Sequence, residues 1–268
     1  MNRAQTTLLA LALTLAAPHL GGCEDKPSPG AAPTSSALAP AKPKTEAART
    51  FVVDAQGSRA SFLMDAPIEK IHGDALDAIT GEVFVDLEDL TKSTGLLKVD
   101  LDKLVLYQQK RENETAAFSE RSKSDLQNEH ARNWLEIGKD VSEETKKKNR
   151  FVELKITKVE TAGPKNVLTM TGADRKVELT VTGDLRLHER TVPKTAKIEA
   201  TFEYEGDKLV SLAVKTVEPI AVSLEEHDVR PRDTLGKILQ KTQEELSTLG
   251  KKVSKDAMIS VDFTAKAR

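Results

Sequence analysis

The stretch Val177–Tyr204, VELTVTGDLRLHERTVPKTAKIEATFEY, decides the fold. Leu179, Val181, Leu185 and Leu187 alternate with Glu178, Thr180, Thr182, Asp184 and Arg186. After a connection over His188–Val192, Ile198, Ala200, Phe202 and Tyr204 alternate with Lys197, Glu199, Thr201 and Glu203. A period of two puts each set on its own face of a pleated strand. Two strands, each with one dry and one wet side, belong to an antiparallel sheet closed over a core, not to a parallel sheet covered on both faces. Gly183 falls on the dry face, where a missing side chain permits a bend or a close approach of backbone.

The same alternation recurs outward from this hairpin. Phe51-Val52-Val53 and Ala60, Phe62, Met64 read as strands around a turn at Gln56-Gly57-Ser58. Ile79–Leu87 carries Val83, Val85 and Leu87 on one face, and Leu97, Val99 and Leu101 repeat the pattern. Val152, Leu154 and Ile156 continue it, followed by a strand over Asn166–Thr171. Val210, Leu212 and Val214 follow a turn at Glu205-Gly206-Asp207. The closing strand alternates Ile259, Val261, Phe263 and Ala265 with Met258, Ser260, Asp262 and Thr264.

Two helices interrupt the strands. Ser124-Asp125-Leu126-Gln127 has capping-box form. Leu126, His130 and Trp134 then share a helical face with Ala131 and Leu135 beside it, and Gly138 is placed to end the helix. Asp233 caps a second helix with Leu235, Ile238, Leu239, Leu246 and Leu249 in a 3.6-residue period, and Gly250 stops it. Lys146-Lys147-Lys148, beside Glu143 and Glu144, reads as a solvated loop. About ten strands and two helices predict a mainly β protein, an extended antiparallel barrel in which closure removes the exposed edges.

The N-terminus reads as an address. Arg3 precedes an apolar run, Leu8–Ala17, too short to span a bilayer as a helix. Leu20-Gly21-Gly22-Cys23 then resembles a bacterial lipobox, which makes Cys23 the lipid-attachment residue. It is the only cysteine of the chain, so a lipidated Cys23 leaves none for a disulfide or a metal. The expected organisation is a signal peptide over 1–22, lipidated Cys23 and a Pro/Ala-rich tether over 23–49, and a barrel domain over 50–268. Pro27, Pro29, Pro33, Pro40 and Pro43 among small residues predict an extended, solvated tether. The address is the bacterial cell envelope, periplasm-facing or at the cell surface.

Composition narrows the function. A net charge of −2 leaves no electrostatic footprint for nucleic acid. Seven Phe, two Tyr and one Trp are few for a sugar-binding platform. No phosphate loop, dinucleotide fingerprint or nucleophile elbow is present, and His72, His130, His188 and His227 form no short-range metal pair. Glu225-Glu226-His227-Asp228 reads as solvated charge rather than a cation site. No catalytic residue, metal or resident cofactor is expected, and the protein reads as a non-enzyme.

The order of several motifs resembles the YceI-like family of periplasmic lipid-binding proteins, from about Phe51 to Ala267. Phe51–Asp54 and Ser58–Phe62 fit its opening strand and Ser-x-x-x-Phe run, and Ile71-His72-Gly73 and Thr80-Gly81-Glu82-Val83 its glycine turns. Val181-Thr182-Gly183-Asp184-Leu185-Arg186-Leu187-His188 fits its Val-x-Gly-x-Leu-x-Leu strand, with Glu189 where a second glycine is usual, and Val192-Pro193-Lys194 the turn after it. Two departures stand near the expected barrel mouth: Tyr107-Gln108-Gln109-Lys110 replaces a Ser-x-x-Thr segment, and a charged insertion precedes Phe151.

The resemblance implies a lipocalin-like barrel that holds a polyisoprenoid, a prenyl-quinone or a similar apolar lipid in its lumen. Phe62, Val83, Val85, Trp134 and Val181 are candidates for its lining. So are Leu185, Ile198, Phe202, Leu212, Val261 and Phe263. Expected partners are the lipid and, through Cys23, the membrane; a homodimer or an envelope protein partner stays open. The alternative is a filled, ligand-free barrel serving as a periplasmic interaction or scaffold module.

The register yields a direct test. Val181→Asp buries an unpaired charge and is expected to cost about 3 kcal/mol or more, whereas Thr182→Asp on the wet face costs little. Equal melting temperatures for the two variants would overturn the assigned faces.

Overall fold

The computed structural model describes residues 27–231 and 254–268. Cys23, the signal peptide and the helix expected from Asp233 to Leu249 lie outside the described residues.

Fourteen elements follow one another. Strands β1 (Arg49–Asp65), β2 (Glu69–Leu76), β3 (Ile79–Val85), β4 (Thr94–Asp100), β5 (Leu104–Lys110) and β6 (Ser122–Lys123) come first. Helices α1 (Asp125–Trp134) and α2 (Glu143–Asn149) interrupt them. Then come β7 (Phe151–Glu160), β8 (Asp174–Leu187), β9 (Arg190–Glu205), β10 (Lys208–Thr216), β11 (Ile220–Ser223) and β12 (Asp256–Ala267).

All pairings are antiparallel. The barrel wall runs β1-β3-β4-β7-β8-β9-β10-β12, and β12 returns to β1, so eight strands close on themselves. The lipocalin-like barrel is extended at one end. There the far half of β1 leaves β3 and pairs with β2, which carries β5 and β6 as a flap, while β11 lines the start of β12. The apolar faces meet inside. Val177, Leu179, Val181, Ala200 and Phe202 are buried in the central core, and a second cluster at the extended end holds Leu185, Leu187, Leu135 and Val222.

The organising hairpin is tighter than expected. Leu187 pairs directly with Arg190, so His188 and Glu189 alone make the turn. Both have positive φ, 49° and 56°, the two-residue geometry that matches strand twist. Gly183 allows a close approach: a Cβ there would lie 2.7 Å from the Lys155 carbonyl oxygen, beside the bulge in β7 between Ile156 and Lys158.

Other expectations change. Gln56-Gly57-Ser58 is not a turn between strands; β1 runs through it, with a register shift between Asp54 and Arg59. That bulge bends one strand enough to serve both barrel and flap. Val210 sits at a register shift in β10, so Leu209 rather than Val210 is buried. Asn166–Thr171 is not a strand. Val167, fully buried, plugs the far end of the barrel, and its N–H donates to the Leu87 carbonyl. The Lys146–Lys148 run is helical, in α2, capped by Ser142 and paired with Glu143 and Glu144 at i,i+3 and i,i+4. Of the two helices seen, α2 is therefore not one of those expected.

The segment 27–48 is not a solvated tether. It is a strap laid along the outside of the barrel. Ser28 N–H donates to Asp228 (2.8 Å), Ala32 N–H to the Glu226 carbonyl and Ser35 N–H to the Glu189 carbonyl. Leu38 N–H donates to Glu153 at 2.9 Å. The strap covers a charged pair across β7 and β8: Glu153 and Arg186 are 2% and 3% exposed. Lys98 completes Glu153, and Arg186 donates to the Ser35 and Lys148 carbonyls. Buried charges need such partners. A strap docked by backbone hydrogen bonds leaves no hydrophobic period, which is why composition alone reads it as solvated.

Further along, the Lys44 amine donates to the Ser93 and Thr157 carbonyls, and the Thr45 hydroxyl donates to Asp86 at 2.7 Å. That hydroxyl is the main reason the Asp86 carboxyl is held below the ordinary carboxylate range, against the opposing effect of burial. A lowered carboxyl stabilises the fold above the unfolded value of ~3.9, and the contribution is lost as pH falls through the folded value. Thr45→Val is therefore expected to lower stability at pH 7 by about 1 kcal/mol. Thermal unfolding from pH 7 to 3 should show the gap narrowing with acid; a gap independent of pH would contradict the link.

Candidate functional site: an apolar cavity with one polar end

The barrel is too wide for its own side chains to fill. A cavity of about 310 Å³ occupies the extended end, and a smaller space of about 80 Å³ lies deeper among Val83, Val159, Leu179, Ala200 and Val214. Leu97, Leu154, Ile220, Val261 and Phe263 border both and form the waist between them. The larger volume falls in the range of small-molecule sites. Its wall is almost wholly hydrocarbon, which water hydrates poorly and an apolar molecule fits.

Each wall residue is placed by the pleat. Phe62, on the inward face of β1, stands directly opposite Gly73 of β2. Its ring lies over that glycine so closely that a Cβ would meet ring carbon at 2.1 Å. The glycine in Ile71-His72-Gly73 is thus the floor on which the ring rests. Trp134 and Leu185, with Phe62, line the upper cavity. Val83, Val85, Val181, Ile198, Phe202 and Leu212 line the lower. Val261 and Phe263 border both, so each candidate lining residue stands on the wall of one or both of these neighbouring spaces.

Helix α1 closes one side of the upper cavity. Ser124 caps it by accepting from Gln127 N–H. Of the expected face, His130, Ala131, Trp134 and Leu135 meet the cavity, joined by Gln127, while Leu126 is 59% exposed. The helix ends at Trp134, before Gly138. Glu136 takes the left-handed position with φ 54°, and Ile137 N–H donates back to the Arg132 carbonyl, a Schellman closure. The cap residue also ties the helix to the barrel. Glu136 accepts from His188 Nε2 at 2.7 Å, on the β8–β9 turn. His130 stacks on Trp134 with ring centroids 6.2 Å apart.

Of the Glu225–Asp228 cluster, Glu225 is solvated as expected, whereas His227 and Asp228 are buried. His227 is fully buried, and its Nδ1 lies 3.3 and 3.2 Å from the Leu187 and Arg190 carbonyls. Desolvation pushes its pKa down, towards the neutral ring. Asp228 pairs with Arg190 and Arg230 and receives the strap's Ser28 N–H. These residues pin the 224–231 segment across the barrel end, where Leu224 and Val229 join the cavity wall. Among the described residues no group of three or more His, Cys, Asp or Glu could hold a metal ion.

Sequence reasoning missed the polar end of the cavity. Among the residues of its wall, Ser61, Glu69, Gln127 and His130 carry polar side chains. Glu69 accepts from the Gln127 side-chain amide at 3.3 Å and from that of Gln108. Gln127 reads from sequence only as the last residue of a capping box; in the structure its side chain reaches across to the flap. The signal that would have found this end is the departure at Tyr107–Lys110, whose Gln108 holds Glu69.

No family model and no curated protein matches the chain. Among solved structures, it is similar to a polyisoprenoid binding domain from Saccharophagus degradans implicated in plant cell wall breakdown, at 12% identity and a TM-score of 0.46, over 81% of this chain and 98% of that one.

Proposed function

We propose that this protein binds a long apolar lipid, a polyisoprenoid or prenyl-quinone, in its barrel lumen and carries or senses it from a lipid-anchored position in the bacterial envelope. One observation carries the reading: two adjoining spaces walled by aliphatic and aromatic side chains, one under the flap and one at the barrel centre, share the border Leu97, Leu154, Ile220, Val261 and Phe263. A hydrocarbon chain makes no hydrogen-bonding demands on such a wall, and each buried methylene contributes about 0.8 kcal/mol. A binding role fits a wall in which Ser61, Glu69, Gln127 and His130 are the polar residues of the larger space. The envelope address rests on the Leu20–Cys23 lipobox.

Two measurements test the two parts. A chain beginning at Glu24 keeps the whole docked strap and omits the anchor. Purified from an isoprenoid-containing bacterium and examined by native mass spectrometry, it should carry close to one prenyl lipid per molecule. Leu97→Trp, at the waist, should reduce that occupancy without a matching loss of melting temperature. An empty protein that also fails to take up an added octaprenyl lipid would leave the scaffold role in front. For the anchor, Cys23→Ser behind a cleavable non-lipoprotein leader should move the protein from the membrane to the soluble fraction. Continued membrane association would remove the lipoprotein reading.

A further inference from the structure

The cavity has a direction. Glu69 stands at the start of β2, near the tip of the flap, and Ala75 of the same strand lies toward the barrel. Six residues of strand separate them, about 20 Å at ~3.3 Å per residue. The polar side chains Glu69, Gln127 and His130 gather at the outer end, while the inner end, at the waist and beyond, is bounded by Leu97, Leu154, Val261 and Phe263. An amphiphile therefore has one orientation that leaves no polar group against hydrocarbon: tail inward, head under α1.

The chemistry of that end restricts the head. Glu69 offers a carboxylate, which accepts hydrogen bonds and donates none. It is fixed by the side-chain amides of Gln127 and Gln108, one from the helix and one from the neighbouring strand of the flap. His130 follows Gln127 by one helical step and is held against Trp134. Two cationic side chains nearby are engaged elsewhere, and a third, Lys110, shares the face of Glu69 but points to solvent. Lys70 pairs with Asp65 and lies 4.8 Å from the centre of the Phe118 ring, and Arg111 donates to the Pro67 carbonyl. Lys110, opposite Glu69 in register, is exposed and is not among the residues of the cavity wall. A phosphate or carboxylate head would meet a fixed, half-buried carboxylate, and like charges repel. A hydroxyl head would donate to it.

Resting on the reading of the lumen as a lipid site, we propose that Glu69, Gln127 and His130 form a head-group subsite selective for an uncharged, hydroxyl-bearing lipid, a long-chain prenol or a prenylated quinol, over the corresponding phosphate ester or fatty acid.

Trp134 is the only tryptophan of the chain and lies in the cavity wall, so its fluorescence reports occupancy of this site directly. The full chain, extracted and freed of lipid, is titrated with a long-chain prenol, the prenyl phosphate of the same length, a prenylated quinol and its quinone, and squalene as a tail without a head. The prenol is expected to bind about tenfold or more tightly than its phosphate, and the quinol more tightly than the quinone. Glu69→Gln should narrow the prenol–phosphate gap, chiefly by improving the phosphate; Gln127→Met provides a second variant that releases the carboxylate from the helix. Phosphate binding equal to or tighter than prenol in the unmodified protein would overturn the subsite, with no variant needed. So would a ratio unchanged by Glu69→Gln in a variant of unaltered melting temperature. If squalene binds while heads are not distinguished, the subsite falls and the lumen reading stands. If no tail binds, including squalene, both fall.

Discussion

The ladder between β1 and β12 is the constraint on which the molecule depends. It runs from Phe51–Ala267 to Leu63–Met258 and joins the first strand to the last. Without it the sheet would be open, with two long unpaired edges. With it, eight strands tilt and close at a diameter that side chains can fill or that can leave room for a ligand. The smaller space lies within the closed ring, and the larger one is enclosed where the flap and α1 are added to it. The register shift between Asp54 and Arg59 lets the same strand leave β3 and take up β2, so the barrel opens into a flap on that side only.

Closure also sorts polarity. The ladder satisfies most of the backbone, with side chains such as Thr216 and Ser58 serving it at breaks, so most inward residues can be hydrocarbon. The outer face keeps the charges, and some of these are buried in turn by the strap. Glu153 and Arg186 sit on neighbouring strands with their charged ends outward, yet hardly touch solvent. Their partners come from the strap, the β4 lysine and the carbonyl at the end of α2. The strap is thereby part of the folded body, and a proline-rich composition is compatible with that because the docking runs through the N–H groups that the other residues retain.

At the open end, three separate devices converge. The Schellman closure of α1 puts Glu136 within reach of His188, the His188–Glu189 turn places that ring, and buried His227 fixes the segment that follows β11. Each is local, but together they hold one helix over the cavity with Gln127 and Trp134 turned inward. The polar end is assembled from α1, β2 and β5, which meet only because the flap folds back on the barrel.

The sequence by itself determined the class of fold and the inward faces. Period-two alternation in Val177–Tyr204 and in β3, β4 and β12 is a direct record of which side of each strand is dry, since the pleat leaves a side chain no third direction. For the same reason Val83, Val181, Phe202 and the other candidates could be placed on one interior before any pairing was known. Tertiary structure decided whatever depends on a partner far along the chain. The bulges that merge two strands into β1 and turn Leu209 inward answer to neighbouring strands, not to local pattern. The strap docks through backbone groups that no side-chain periodicity reveals. The width of the interior is set by the number of strands that close, so a filled core and a cavity share one alternating pattern. Glu69 reads as one more surface carboxylate until β5 supplies Gln108 and α1 supplies Gln127, because a polar site is defined by convergence in space and alternation along a chain carries no record of it.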